Sequence, residues 1–290
     1  MASLIVLVTG VIWGFYWAPV RLLEQAGFEV AWGTVAITGA GVLTLAPFML
    51  RYRVAFARAD RLGILAIALG GAGFALYSIA LIYGRVAIVV LLFFLTPVWS
   101  TLIARFVLGW RTPALRLVAI LLGLAGLAVM LSASGDWPIP RQLGEWLGLI
   151  SGIVWAIGST GIKLRGDLPP LPAAFVFVCG GAAISCALVP FLAGGADPSL
   201  WGGVVAIGTG ALWWGAAMAG LMWATRQLDP ARVGILLMSE VLVAAVSAAV
   251  FAGEELAPVE LIGGAMVVMA ALFEVLPQRR GKTSGGQPRG

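Results

Sequence analysis

The stretch LLMSEVLVAAVSAAVF, residues 236–251, carries a single charge, Glu240, in an otherwise apolar run. A carboxyl in that setting has three uses. It can bind a substrate ammonium, take up and release a proton, or stay protonated and hydrogen-bond a neighbouring segment. Acids inside apolar helices mark functional positions by default. A second stretch, LLFFLTPVWS (residues 91–100), places Pro97 inside an apolar run. Proline removes one helical hydrogen bond and pushes away the carbonyl four residues back, which kinks the helix. Thr96 offers a hydroxyl beside that carbonyl, while Phe94 and Trp99 offer aromatic faces. Trp17, Tyr77 with Ser78, Trp155 and Trp214 also lie deep inside apolar runs. One acid, a few hydroxyls and several rings can hold a small amphipathic molecule bearing an amine.

The elements that must position these residues follow from composition. The chain has 290 residues, 61% hydrophobic and 11% charged, with a mean hydropathy of +1.03. That is too little polar surface for a water-soluble domain, in which about 25% of residues are charged. A hydrocarbon core about 30 Å thick needs roughly 20 helical residues to cross it. Apolar runs of that order fall near 3–22, 29–50, 61–83, 86–108, 113–133, 143–163, 170–193, 199–225, 230–252 and 257–277. The expected fold is therefore an all-α polytopic membrane protein with ten transmembrane helices. The final residues, 279–290, read as a disordered cytoplasmic tail.

Charge placement sets the orientation. With both termini cytoplasmic, only Arg21, Arg85 and Arg141 of the 18 basic residues fall on the outer side. This is the positive-inside pattern. The net charge of +5 then reflects topology, and no nucleic-acid partner is expected. Histidine is absent, which excludes His-based proton relays and metal sites. Cys179 and Cys186 are about 10 Å apart on a helix, beyond disulfide reach. No paired acids, no nucleophile with its base, no metal-ligand cluster and no phosphate-binding loop occur. The expectation is no enzyme, no metal and no cofactor.

The halves resemble one another. LVTGVIWGFYWAPVRLL and LISGIVWAIGSTGIKLR align without gaps, pairing Gly10 with Gly152, Trp13 with Trp155 and Arg21 with Lys163. The fourth and ninth runs pair Ala87 with Ala231, Leu92 with Leu236, Gly109 with Gly253 and Thr96 with Glu240. Five helices per half is an odd number, so equivalent helices cross in opposite directions. Inverted repeats of that kind place substrate between the halves near the midplane. The expected division is 1–136 and 137–278.

The VIWG and IVWA openings, the two halves and the ending EELAPVELIGGAMVVMAAL resemble the EamA type of the drug/metabolite transporter superfamily. Within it the chain is most similar to the YddG-type exporters of aromatic amino acids. The resemblance implies export of aromatic and other neutral amino acids, such as methionine and threonine, from a bacterial cytoplasmic (inner) membrane by alternating access. It also implies that Tyr77, Phe94 and Trp155 match aromatic positions of the central cavity. One departure is Trp110, which stands where such repeats often carry the acid seen here as Glu254. The alternative left open by Glu240 and the rings is a proton-coupled exporter of lipophilic cations.

Overall fold

The computed structural model describes residues 1–109, 114–132, 139–192, 194–197, 199–224, 227 and 230–275. Among these residues there is no strand, and one isolated bridge joins Phe28 to Ala196. The helices are α1 (Ala2–Gln25), α2 (Ala31–Arg58), α3 (Arg61–Tyr83), α4 (Val86–Phe106), α5 (Ala114–Leu131), α6 (Leu143–Arg165), α7 (Pro170–Phe191), α8 (Leu200–Ala224), α9 (Pro230–Phe251) and α10 (Pro258–Val275). All but α5, α9 and α10 are long and apolar enough to cross a membrane, which makes seven among the described residues. The apolar cores of the other three run Ile120–Met130, Ser239–Phe251 and Pro258–Ala270. Trp110, the division at residues 136 and 137 and the tail 279–290 lie outside the described residues.

α1 and α4 each carry an open break with a proline just beyond it, while α2 passes through a 3₁₀ turn at Leu50–Tyr52 after Pro47. In α1 the regular helix stops at Gly14 and resumes at Trp17. Pro19 sits in the second piece and clashes with the carbonyl of Phe15, four residues back. The Phe15 carbonyl instead accepts from the Ala18 N–H at 3.1 Å. In α4 the helix stops at Phe93 and resumes at Thr96, with Pro97 in the first turn of the new piece. A proline there costs little, because that N–H needs no helical partner. The Phe93 carbonyl is taken by the Thr96 hydroxyl at 2.6 Å, which also reaches the Gly152 carbonyl of α6 at 3.3 Å. α8 departs from α-helical geometry differently, with a π-helical stretch over Gly210–Ala217.

Small residues let these apolar rods touch. A Cβ on Gly152 would lie 2.9 Å from the Phe93 carbonyl, and one on Gly148 would lie 3.3 Å from that of Val89. The Gly144, Gly148 and Gly152 ridge therefore seats α6 against α4. On another side of α6, a Cβ on Gly158 would lie 2.7 Å from the Gly70 backbone nitrogen in α3. Along the parallel seam between α1 and α9, Gly14 lies against Val243 and the Glu240 carbonyl.

The two ends of the bundle are held differently. At the end bearing Met1, Asp60 caps α3 through the Leu62 N–H at 2.9 Å and pairs with Arg165 at 3.0 Å. That backbone donor first, and then Arg165, hold the Asp60 carboxyl below its ordinary range. At the far end, the α1–α2 and α7–α8 connections are stitched together. Glu29 N–H donates to the Gly195 carbonyl at 3.1 Å, Asp197 N–H to that of Gly27 at 2.9 Å, and Gly195 N–H to Glu29 Oε2 at 2.7 Å.

Candidate functional site

Glu240 sits on α9 and is 4% exposed. Its carboxyl interacts electrostatically with the Tyr77 hydroxyl of α3. Glu240 Oε1 has no hydrogen-bond partner. The indole N–H groups of Trp13 and Trp99 share that condition, and these three are the unpartnered buried side-chain polar atoms among the described residues. Buried polar atoms in proteins are nearly always paired, so each exception calls for an explanation. Here an acceptor and two donors are held ready in the apolar interior.

Tyr77 also belongs to a ring cluster. Phe74 is its hub, with ring centroids 4.9 Å from Trp13, 5.1 Å from Trp155, 5.2 Å from Phe93 and from Phe177, and 6.4 Å from Tyr77. All five are edge-on, the arrangement favoured by the ring quadrupole. Trp214 closes the cluster at 5.8 Å from Phe177. Tyr77, Trp155 and Trp214 are thus brought together. Phe94 touches the group through Phe93 at 5.7 Å, and it stands at the interruption of α4. Trp99 lies one turn further along α4, half-buried. Trp17 lies toward the far end, where its indole N–H donates to Ser247 at 2.9 Å and its ring lies 5.6 Å from the Arg21 guanidinium.

A buried hydrogen-bond chain runs beside the rings. Trp214 Nε1 donates to the Tyr16 hydroxyl, which bonds Ser78, which in turn bonds Thr34, each at 2.9 Å. Four helices, α8, α1, α3 and α2, are tied by it. The π-helical stretch of α8 lets consecutive indoles serve α1, because Trp213 Nε1 also donates to the Ile12 carbonyl at 2.7 Å. Of this chain, only Ser78 and Trp214 stand out from sequence. Tyr16 had a signal, a hydroxyl beside a proline-broken turn in GFYWAP. Phe74, Phe93 and Phe177 had none, since a phenylalanine in an apolar helix carries no mark of the face it occupies.

Comparison with known proteins places the chain in a class. The model of the EamA-like transporter family matches residues 1–132 and 142–276, and the chain belongs to that family. It is a multi-pass integral membrane transporter, which implies a lipid bilayer and a small-molecule substrate; EamA-family members are generally not enzymes. A protein of known crystal structure, 18% identical, superposes with a TM-score of 0.62 over 95% of this chain and 98% of its own. That likeness is one of fold. Comparison with curated proteins gave no match.

Proposed function

We propose that this protein exports neutral amino acids, aromatic ones foremost, by alternating access between two inverted five-helix halves. The observation that carries the reading is the coexistence of one unpartnered acceptor, Glu240 Oε1, with unpartnered donors on Trp13 and Trp99. A zwitterion uses both kinds of group, whereas a lipophilic cation uses only the acid. Rings supply the apolar wall: the side chain would stack among Tyr77, Phe94, Trp155 and Trp214, with Ser78 and Thr96 as flanking hydroxyls. The halves are supported by two separate matches of one family model. They are supported too by Gly109 and Gly253, paired in sequence, whose backbones take φ +67° and +64°. Ten crossings with both termini cytoplasmic agree with the basic-residue bias. The setting inferred is a bacterial inner membrane.

The test is uptake by proteoliposomes of labelled phenylalanine, threonine and tetraphenylphosphonium, with and without a pH gradient. Amino acid flux is expected. Gradient-driven flux of the cation alone would establish the alternative, with Glu240 as proton carrier. Trp155→Ala should reduce phenylalanine transport about tenfold, the size of one lost ring contact, and threonine transport much less. Equal loss for both would remove the stacking role. Glu240→Gln keeps the shape but cannot pair with an ammonium, so transport should fall for every amino acid.

A further inference from the structure

The far end of the α1–α9 seam holds a set of charges that the substrate site does not use. Arg21 Nη2 donates to Glu254 Oε1 at 3.0 Å and to the Gly84 carbonyl at 3.3 Å. The same carboxylate accepts from the N–H groups of Val86 at 2.9 Å and Ala87 at 3.3 Å, the first turn of α4. Glu254 thereby ties the C-terminus of α1, the N-terminus of α4 and the α9–α10 connection. A carboxylate at a helix N-terminus is well placed, because that end of the helix dipole is positive. Arg85 adds a two-pronged contact to Glu260, at 2.5 and 3.1 Å, and donates to the Glu255 carbonyl. One layer below, Arg21 lies over Trp17, and Trp17 bonds Ser247. Ser247, Ala244 and Glu240 then follow one another down a single face of α9.

We infer that the α1–α9 seam is the outer gate of the transporter, latched at the rim by Arg21 and Glu254, braced by Arg85 and Glu260, and backed by Trp17 and Ser247 above Glu240. In the latched state the route from Glu240 to the outside is closed. Opening needs the far end of α1 to part from α9 above the Gly10 and Gly14 contacts, which breaks a layer of charge-assisted bonds near water. Two of the three outward arginines that depart from the basic-residue bias, Arg21 and Arg85, are the residues of this latch. The arginine and glutamate side chains are 29% and 9% exposed for the Arg21 pair, so water can replace the contacts once the seam opens.

This inference rests on the alternating-access reading, but its test needs no substrate. A reporter cysteine is placed beneath the latch, Ala244→Cys, at a position 1% exposed, in a chain also carrying Cys179→Ala and Cys186→Ala. A membrane-impermeant charged thiol reagent is applied outside intact cells. Labelling should be slow with the latch intact. It should be about tenfold faster with Arg21→Gln, Glu254→Gln or Arg85→Gln, the factor expected for losing a charge-assisted contact. Trp17→Phe, which removes only the indole donor, should accelerate it about two- to threefold. A near-end control, Ala66→Cys, should not change. If Glu254→Gln does not fold, Arg21→Lys keeps the charge with fewer donors and should give an intermediate rate. Unchanged labelling in folded latch variants, or equal acceleration at residue 66, would overturn the gate. Accelerated labelling without amino acid flux would keep the gate and sink the substrate assignment instead.

Discussion

The two ends of the bundle make opposite use of charge. At the far end, two carboxylates 9% exposed each pair with an arginine and also accept from backbone N–H groups, Glu254 from the start of α4 and Glu260 from Ala257 at the start of its own helix. At the Met1 end, Arg165 and Asp60 form a pair with both side chains well exposed, 57% and 34%. Nearby, Ile67, Ile162, Ala173 and Met222 line a pocket of ≈ 130 Å³. Exposed pairs contribute little, because water and salt screen them. Largely buried carboxylates that satisfy several donors at once contribute more and are costly to break. At one end charge ties helix connections to one another, whereas at the other it joins them only at the surface.

The sharpest break of that contrast is Glu254→Gln. It leaves Arg21 without a counter-charge and should destabilise the protein by about 2–3 kcal/mol, read as a fall in thermal midpoint in detergent. Arg85→Gln comes next at about 1–2 kcal/mol, because Glu260 keeps the Ala257 N–H at 2.8 Å. A sharper comparison of the halves uses Gly109 and Gly253, both left-handed with open space around the missing Cβ. Alanine at either should cost about 1 kcal/mol, and clearly unequal costs would speak against equivalent turns. Asp60→Asn is the smallest, with no measurable change in midpoint. Since the Leu62 N–H and Arg165 hold the Asp60 carboxyl below its ordinary range, its contribution is fully present throughout that range and above it. It is lost only as pH falls further, so lowering pH from 7 to 5 should leave the pair intact.

The membrane class, the approximate helix positions and the acid at residue 240 were legible in the sequence, because hydropathy and a lone charge are local properties. So was the anomaly of Arg21 and Arg85, outliers to the charge bias before any partner was visible. Their partners were not legible. Arg21 meets Glu254 across most of the chain, and nothing near either residue specifies the other. The interruptions show the same division. Pro19 and Pro97 are local signals, yet Pro97 proved to begin a new helical piece rather than to bend a continuous one. Helices apolar on every side carry no stripe to say which face turns inward. Tertiary packing alone therefore decided that Phe74 would be the hub of the ring cluster, that Tyr16 would join Trp214 to Ser78, and that Trp17 would bond Ser247 beside Arg21. The sequence determined which segments leave water, since transfer free energy adds up along the chain. The facing of each segment was decided by glycine contacts and shared donors between helices, which exist only once the bundle has formed.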